Sequence, residues 1–359
     1  MSNDPANLGV HNSLKHARDF ISRQNGIIAP VPLSEEELNP ELQDDLSLQA
    51  YALEATTNCY RVGYQFPEDS EKSEFCFFED GRQRTVQIGY IPTETGGHQI
   101  ILPVHYFVVA AVILERKEKT LQLWKEAIVR KGILIEKSLV PDQAILTEFE
   151  SYGLEVVDTE TNGGDYYALK KKALRKAKDL RLATEEQLIA DWRLTQSDDD
   201  KFLIVDGTLM NLRNEVSIRR CIGVSKSFGS RYFDLSSHNR IMSMKEFERS
   251  WTFRFHDPEV GAADQRMGSR ERISWYLRLR TRPNTDPEFG LVRVEISKHY
   301  AENASSYAER FSKSLLSERL PTSYPAQRWH NHLFPIYGCE NYLSSILPSM
   351  KTVAASMKG

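Results

Sequence analysis

Acids that close apolar runs are the residues of this 359-residue sequence best placed to do chemistry. Asp206 follows Phe202-Leu203-Ile204-Val205 and precedes Gly207. A carboxylate there stands where a buried strand emerges, held by a rigid scaffold, and the glycine lets a ligand approach the backbone. Asp80-Gly81 has the same form after Phe75-Cys76-Phe77-Phe78-Glu79. Oxygen ligands from more than one such carboxylate suit a hard divalent cation. Two such ions ~3.5–4 Å apart activate water and stabilise the leaving oxygen of a phosphodiester. The plain alternative is that Asp-Gly is also a common hairpin-turn dipeptide, and 79–82 reads as turn chemistry.

Other candidates lie further along. Glu185 and Glu186 sit on a predicted helix, where Arg181 and Glu185 at i, i+4 also make an ordinary surface ion pair. Lys170, Lys171, Lys172, Arg175, Lys176, Lys178 and Arg181 oppose only Asp179 in the same stretch. Such a run tracks a phosphate backbone or forms a solvated face. His332, eight residues after Tyr324-Pro325, is a candidate general acid/base or ligand, or one structural histidine among nine. Glu295, on one strand face with Arg293, is a third acid or a cross-strand partner. No G-x-x-x-x-G-K-[ST] or G-x-G-x-x-G motif follows a strand, and no G-x-S-x-G elbow occurs. His330-Asn331-His332 spells HNH only by coincidence.

The elements that must position these residues follow from hydrophobic period. A strand is expected over 74–78, a second with period-2 alternation over 85–91, and the apolar run over 100–114 reads as a third, buried strand. That last run contains Pro103 and His105 and falls short of the ~20 residues needed to span a bilayer. Helices are expected over 119–131 and 142–152, with short strands at 132–136 and 153–157. A long helix from about 166 to 192 carries Leu169, Ala173, Ala177, Leu180, Thr184 and Leu188 as one stripe. Strands at 201–205, 221–225, 273–280 and 291–296 follow, then helices over 301–319 and 340–350. Strands first, then strands mixed with helices, predict an α/β fold with a mixed sheet flanked by helices.

Charge is unevenly spread under a net of −4. Residues 1–60 hold nine acids against three Lys/Arg and read as an acidic helical segment, with a capped helix start at Ser34-Glu35-Glu36-Glu37. Residues 266–359 hold fourteen Lys/Arg against eight acids, which suits an anionic partner such as DNA. Four cysteines with no C-x-x-C pair, and no signal-peptide pattern at the start, lead to the expectation of a reducing cytoplasm and no membrane.

In order, FLIVDGTL (202–209), IGVSKS (222–227), LVRVEI (291–296) and Tyr324-Pro325 with His332 resemble the NurA nucleases, partners of the HerA hexameric DNA translocase. FFEDGRQRTVQIGYI (77–91) looks like that family's first D-G-S strand, except that Arg82 stands where the family has Ser. The resemblance implies an RNase H-like core over residues 61–359, with 115–165 as an insertion. It implies Mn²⁺ or Mg²⁺ bound by Asp80, Glu185 or Glu186, and Asp206, with Tyr324 and His332 at the same site. Lys226, Arg293, Lys171 and Arg175 would contact DNA. A homodimer working with a HerA-like ATPase in end processing or antiviral defence is the implied setting. A catalytically degenerate DNA-binding adaptor of the same fold is the alternative.

Overall fold

A strand buried on both faces needs no polar alternation, and the apolar run expected at 100–114 is such a strand. Every residue from Leu102 to Leu114 is buried. The computed structural model describes residues 5–29, 50–63, 73–95, 97–140, 144–161, 164–196, 200–212, 218–226, 232–256, 271–321 and 329–358. The expected helix start at Ser34 and Tyr324 both lie outside the described residues.

In chain order the elements are α1 (Pro5–Arg23), β1 (Ile27–Ile28), β2 (Ala50–Ala52), β3 (Tyr60–Arg61), β4 (Phe77–Thr95), β5 (His98–Lys117), β6 (Thr120–Leu123) and β7 (Ile128–Ile135). Then come α2 (Ala144–Ser151), β8 (Glu155–Asp158), α3 (Tyr166–Thr195), β9 (Leu203–Asp206), β10 (Cys221–Ser225) and α4 (Leu235–Met242). The chain continues through β11 (Glu248–Arg249), β12 (Phe253–His256), β13 (Glu271–Arg278), β14 (Leu291–Ser297), α5 (Ala304–Ser317), α6 (Phe334–Ile346) and α7 (Met350–Met357).

The strands among the described residues all join one mixed sheet of order β2-β12-β13-β14-β10-β9-β4-β5-β7-β8, with β1, β3, β6 and β11 attached at its margins. β4, β5 and β7 form an antiparallel meander. α3 then carries the chain to β9, which pairs parallel to β4, and β10 pairs parallel to β9. β14 and β13 extend the sheet antiparallel beyond β10. The sheet is therefore mixed, as expected.

Its two faces are covered differently. Phe78, Val108, Ala110, Val112, Ile204 and Val224 point into the main core, closed by α1, α5, α6 and α7. Alternate residues Phe77, Ala111, Ile113, Leu203 and Val205 point the other way, against Leu188, Ile189 and Trp192 of α3. The expected α3 stripe is buried at every position named for it. Phe107, Val109 and Leu134 receive its Ala173, Ala177 and Leu180.

Three local expectations are corrected. The turn expected at residues 79–82 is absent: β4 runs unbroken from Phe77 to Thr95 and pairs along its length with β5. Asp80-Gly81 is tolerated inside a strand because β5 supplies its ladder partners, Val112 and Ala111. The helix expected at 119–131 is instead β6 and the start of β7, where pairing to β5 outweighs local propensity. The helix expected at 340–350 starts earlier and ends earlier, at Phe334–Ile346, with Pro335 in its first turn where a missing N–H costs nothing. Residues 115–165, expected as an insertion, supply β6, β7, α2 and β8, and β7 pairs with β5 from His105 to Ala111. Among the described residues no helix is long and apolar enough to cross a membrane.

Candidate metal centre

Parallel pairing sets the register that brings two carboxylates together. Phe77, Phe78 and Glu79 of β4 lie opposite Leu203, Ile204 and Val205 of β9. One residue on, Asp80 and Asp206 are at the same level and, by the period of two, on the same face. α6 crosses that face: its Cys339 Sγ donates to the Phe78 carbonyl at 3.4 Å. The next residue of α6, Glu340, therefore arrives over the two aspartates. Asp80, Asp206 and Glu340 each offer a carboxylate oxygen, and the three oxygens lie within 4.8 Å of one another.

An all-oxygen donor set of this size suits a hard divalent cation, Mg²⁺ or Mn²⁺, better than a thiolate-seeking metal. Access exists: the Asp206 and Glu340 side chains keep 19% and 29% of their surface exposed. Without a cation the site is costly, since two like charges ~4 Å apart repel by ~4 kcal/mol at an effective dielectric of 20.

One ammonium offsets part of that cost. Lys226, just beyond β10, places Nζ 2.9 Å from Asp206 Oδ2 and 2.7 Å from Glu340 Oε1. Burial works against its charge, but Asp206, Glu340 and Asp80 together hold its pKa above the ordinary lysine value. His332 is buried beside this group, with Nδ1 3.4 Å from Lys226 Nζ and 3.6 Å from Glu340 Oε1. The loop carrying His332 is tied down by Asn331, whose Nδ2 donates to the Lys226 carbonyl at 3.2 Å. Burial, then the charge of Asp206, push the Asp80 carboxyl well above the usual carboxylate range, with Lys226 pulling back.

Glu185 reaches the same neighbourhood from the opposite face of β4. It is buried, whereas Glu186 is partly exposed, so of the two it is Glu185 that turns to the sheet. Arg181 donates a hydrogen bond to Glu185 Oε1. The approach to β4 is so close that a Cβ on Gly81 would lie 1.9 Å from Glu185 Oε1. Burial raises the Glu185 pKa to about 7 despite the opposing Arg181. Beside it Glu79 is fully buried, and neither carboxylate oxygen has a hydrogen-bond partner among the described residues. Burial, then the charges of Glu185 and Asp80, drive the Glu79 pKa well upward.

The remaining candidates fall elsewhere. Glu295 is a buried structural acid: it accepts from Thr208 Oγ1, from the Leu209 amide at 2.8 Å and from Arg293 Nη2 at 2.7 Å. It thereby anchors the chain just after Asp206-Gly207, where Gly207 adopts φ +107°, a conformation that favours glycine. Arg293 is consumed by Glu295 and Tyr232 and is buried, so it faces no solvent from which DNA could reach it. Lys226, expected at a phosphate, has its ammonium on the site carboxylates. Lys171 and Arg175 are exposed on α3.

Glu340 and Glu79 were not among the sequence candidates. A signal existed for Glu340: it is the only charged residue in the α6 sequence FPIYGCENYLSSI. Glu79 was read as part of a turn, and only the unbroken β4 places it under α3. A scan against protein-family models finds no match, and no curated protein is significantly similar in sequence.

Proposed function

We propose that this protein is a divalent-metal-dependent nuclease acting on DNA, built on an RNase H-like core. The observation that carries the reading is the meeting of Asp80, Asp206 and Glu340, from two parallel strands and a helix, within 4.8 Å and open to solvent. An antiparallel meander, a helix, then two strands parallel to the first is the strand arrangement that such a core calls for. A bound cation would supply Lewis-acid activation of water and charge stabilisation at the phosphoryl group.

The chain's own residues have distinct parts in this. Asp80, Asp206 and Glu340 would hold Mn²⁺ or Mg²⁺. His332, within reach of Glu340 and Lys226, is positioned to hold or pass a proton at Nδ1. Lys171 and Arg175, exposed with Lys172 and Lys178 on α3, offer an electrostatic track for the phosphate backbone. With no P-loop in the sequence, directional movement along DNA would come from a partner ATPase; the NurA resemblance makes a HerA-like hexamer the candidate and a homodimer the working form.

Lys226 favours a second reading. Its ammonium already sits on two of the three carboxylates, as expected of a degenerate site that serves as a DNA-binding adaptor.

Incubation of the purified full chain with Mn²⁺ and linear single- and double-stranded DNA separates the two. The nuclease reading expects cleavage that chelator stops and that Asp80→Asn and Asp206→Asn each reduce by ~10²-fold or more. Cleavage retained by both variants would mark a contaminant, and a wild type with DNA affinity but no cleavage supports the adaptor.

A further inference from the structure

We infer that Lys226 is the resident counter-ion of the carboxylate site, and that a divalent cation binds by displacing its ammonium. The inference rests on the metal-site reading above and concerns how that site is filled.

Lys226 makes the two shortest charged contacts at the site. Lys226 Nζ stands 2.7 Å from Glu340 Oε1 and 2.9 Å from Asp206 Oδ2, bridging two carboxylates that come from different elements. Mg²⁺ bonds oxygen at ~2.0–2.1 Å, and other hard divalent cations somewhat further out. An ion on Asp206 Oδ2 and an ammonium 2.9 Å from the same atom would therefore stand no more than about 5 Å apart. Two cations so close repel each other, and each carboxylate has a limited number of lone pairs to share. Occupancy by the ion and by the ammonium is thus competitive.

The same contact explains how the ligands stay aligned without metal. Asp206 ends β9 and Glu340 lies on α6, and no other cation bridges the two among the described ion pairs. Removing the ammonium leaves like charges facing each other across the β9–α6 junction. Lys226 is itself half-buried, and its exit from the carboxylates would leave a cation beside the place a phosphate must occupy. The phosphate role expected for this lysine then belongs to the metal-loaded protein, and the ion pair to the metal-free one.

The test compares the wild-type full chain with Lys226→Met, which keeps length and removes charge, and Lys226→Arg, which keeps charge. Mn²⁺ binding is measured by titration calorimetry, and thermal unfolding is followed in chelator. Lys226→Met should bind Mn²⁺ about tenfold tighter or more, because the competitor is gone. It should also unfold at a lower temperature in chelator and recover with Mn²⁺. Lys226→Arg should unfold near wild type in chelator and bind Mn²⁺ no tighter, since a guanidinium pairs firmly with carboxylates.

Equal Mn²⁺ affinity in wild type and Lys226→Met overturns the displacement mechanism while leaving the metal site intact. Binding by Lys226→Met alone supports displacement and moves the wild type to the adaptor reading. Absence of binding in all three proteins overturns both the inference and the metal-site reading. If Lys226→Met fails to fold without metal, refolding in Mn²⁺ supports the counter-ion role. In that case Lys226→Arg decides the competition: an affinity above wild type overturns it.

Discussion

The two faces of β4 carry acids under opposite conditions. On the α6 face, Asp80, Asp206 and Glu340 surround an ammonium and keep a path to solvent. On the α3 face, Glu79 and Glu185 are sealed, with Arg181 the cation bonded to Glu185 and no hydrogen-bond partner for the Glu79 oxygens among the described residues. An open cluster can exchange its counter-ion with the medium; a closed one can only take up a proton or be reached through its neighbours. The same strand, alternating by residue, thus presents an exchangeable site and a fixed acidic backing one layer behind it.

Crowding between the layers is the most severe constraint. Gly81 lets Glu185 come against β4, and an added Cβ would meet its oxygen at 1.9 Å, well inside contact. Gly81→Ala must push α3 outward or swing Glu185 off Arg181. We expect a loss of roughly 1–3 kcal/mol, measured as a lower urea midpoint with unchanged slope. A midpoint equal to wild type would mean that Glu185 is not held against the strand, and the contrast between the faces would dissolve.

The next effect separates the faces by function. Glu340→Gln removes a charged ligand from the open cluster and should weaken Mn²⁺ binding by ~10–100-fold. Glu185→Gln leaves Asp80, Asp206 and Glu340 in place and should weaken it less. Calorimetric titration of both variants reads the difference directly. Equal losses would show that the two faces act as one site around a shared cation, with Glu185 as ligand in the way the NurA resemblance implies.

How much of this was legible in the sequence depends on the range of the interaction concerned. The α3 stripe was visible because six residues at one helical spacing report one face, whatever lies opposite. The apolar strand at 102–114 was visible because burial on both faces leaves an apolar run broken by His105 rather than an alternating pattern. Asp80 and Asp206 were singled out by their apolar approach and trailing glycine, and the structure places them side by side. Glu340 lay beyond local reading: what brings it to the aspartates is the seating of α6 through Cys339 on the Phe78 carbonyl, a contact 261 residues apart in sequence. Glu79 was hidden by a different failure. Local turn chemistry at Glu79-Asp80-Gly81-Arg82 competed with pairing to β5, and the ladder won. Alternation puts Arg293 and Glu295 on one strand face but does not say whether that face meets solvent or core. In fact both faces of β14 are buried, so the pair neutralises itself inside the sheet.

The smallest expected effect is a slope. In the metal-free protein burial raises the Glu185 carboxyl to about 7, and Glu79 and Asp80 also rise above their ordinary values. The folded chain then holds more protons than the unfolded chain between the ordinary carboxylate range and about pH 7. Stability must therefore fall as pH rises through that window, because deprotonation is easier unfolded. Chelator-treated wild type should show a urea midpoint that declines over this interval. Glu185→Gln has no proton to lose at that position, so its decline should be shallower but still present, Glu79 and Asp80 remaining. Saturating Mn²⁺ should reverse the sign on the α6 side, since the ion binds ionised carboxylates and acid then removes it. A chelator profile flat for both proteins would mean that the α3 face carries no stored protons. The contrast would then be one of access alone.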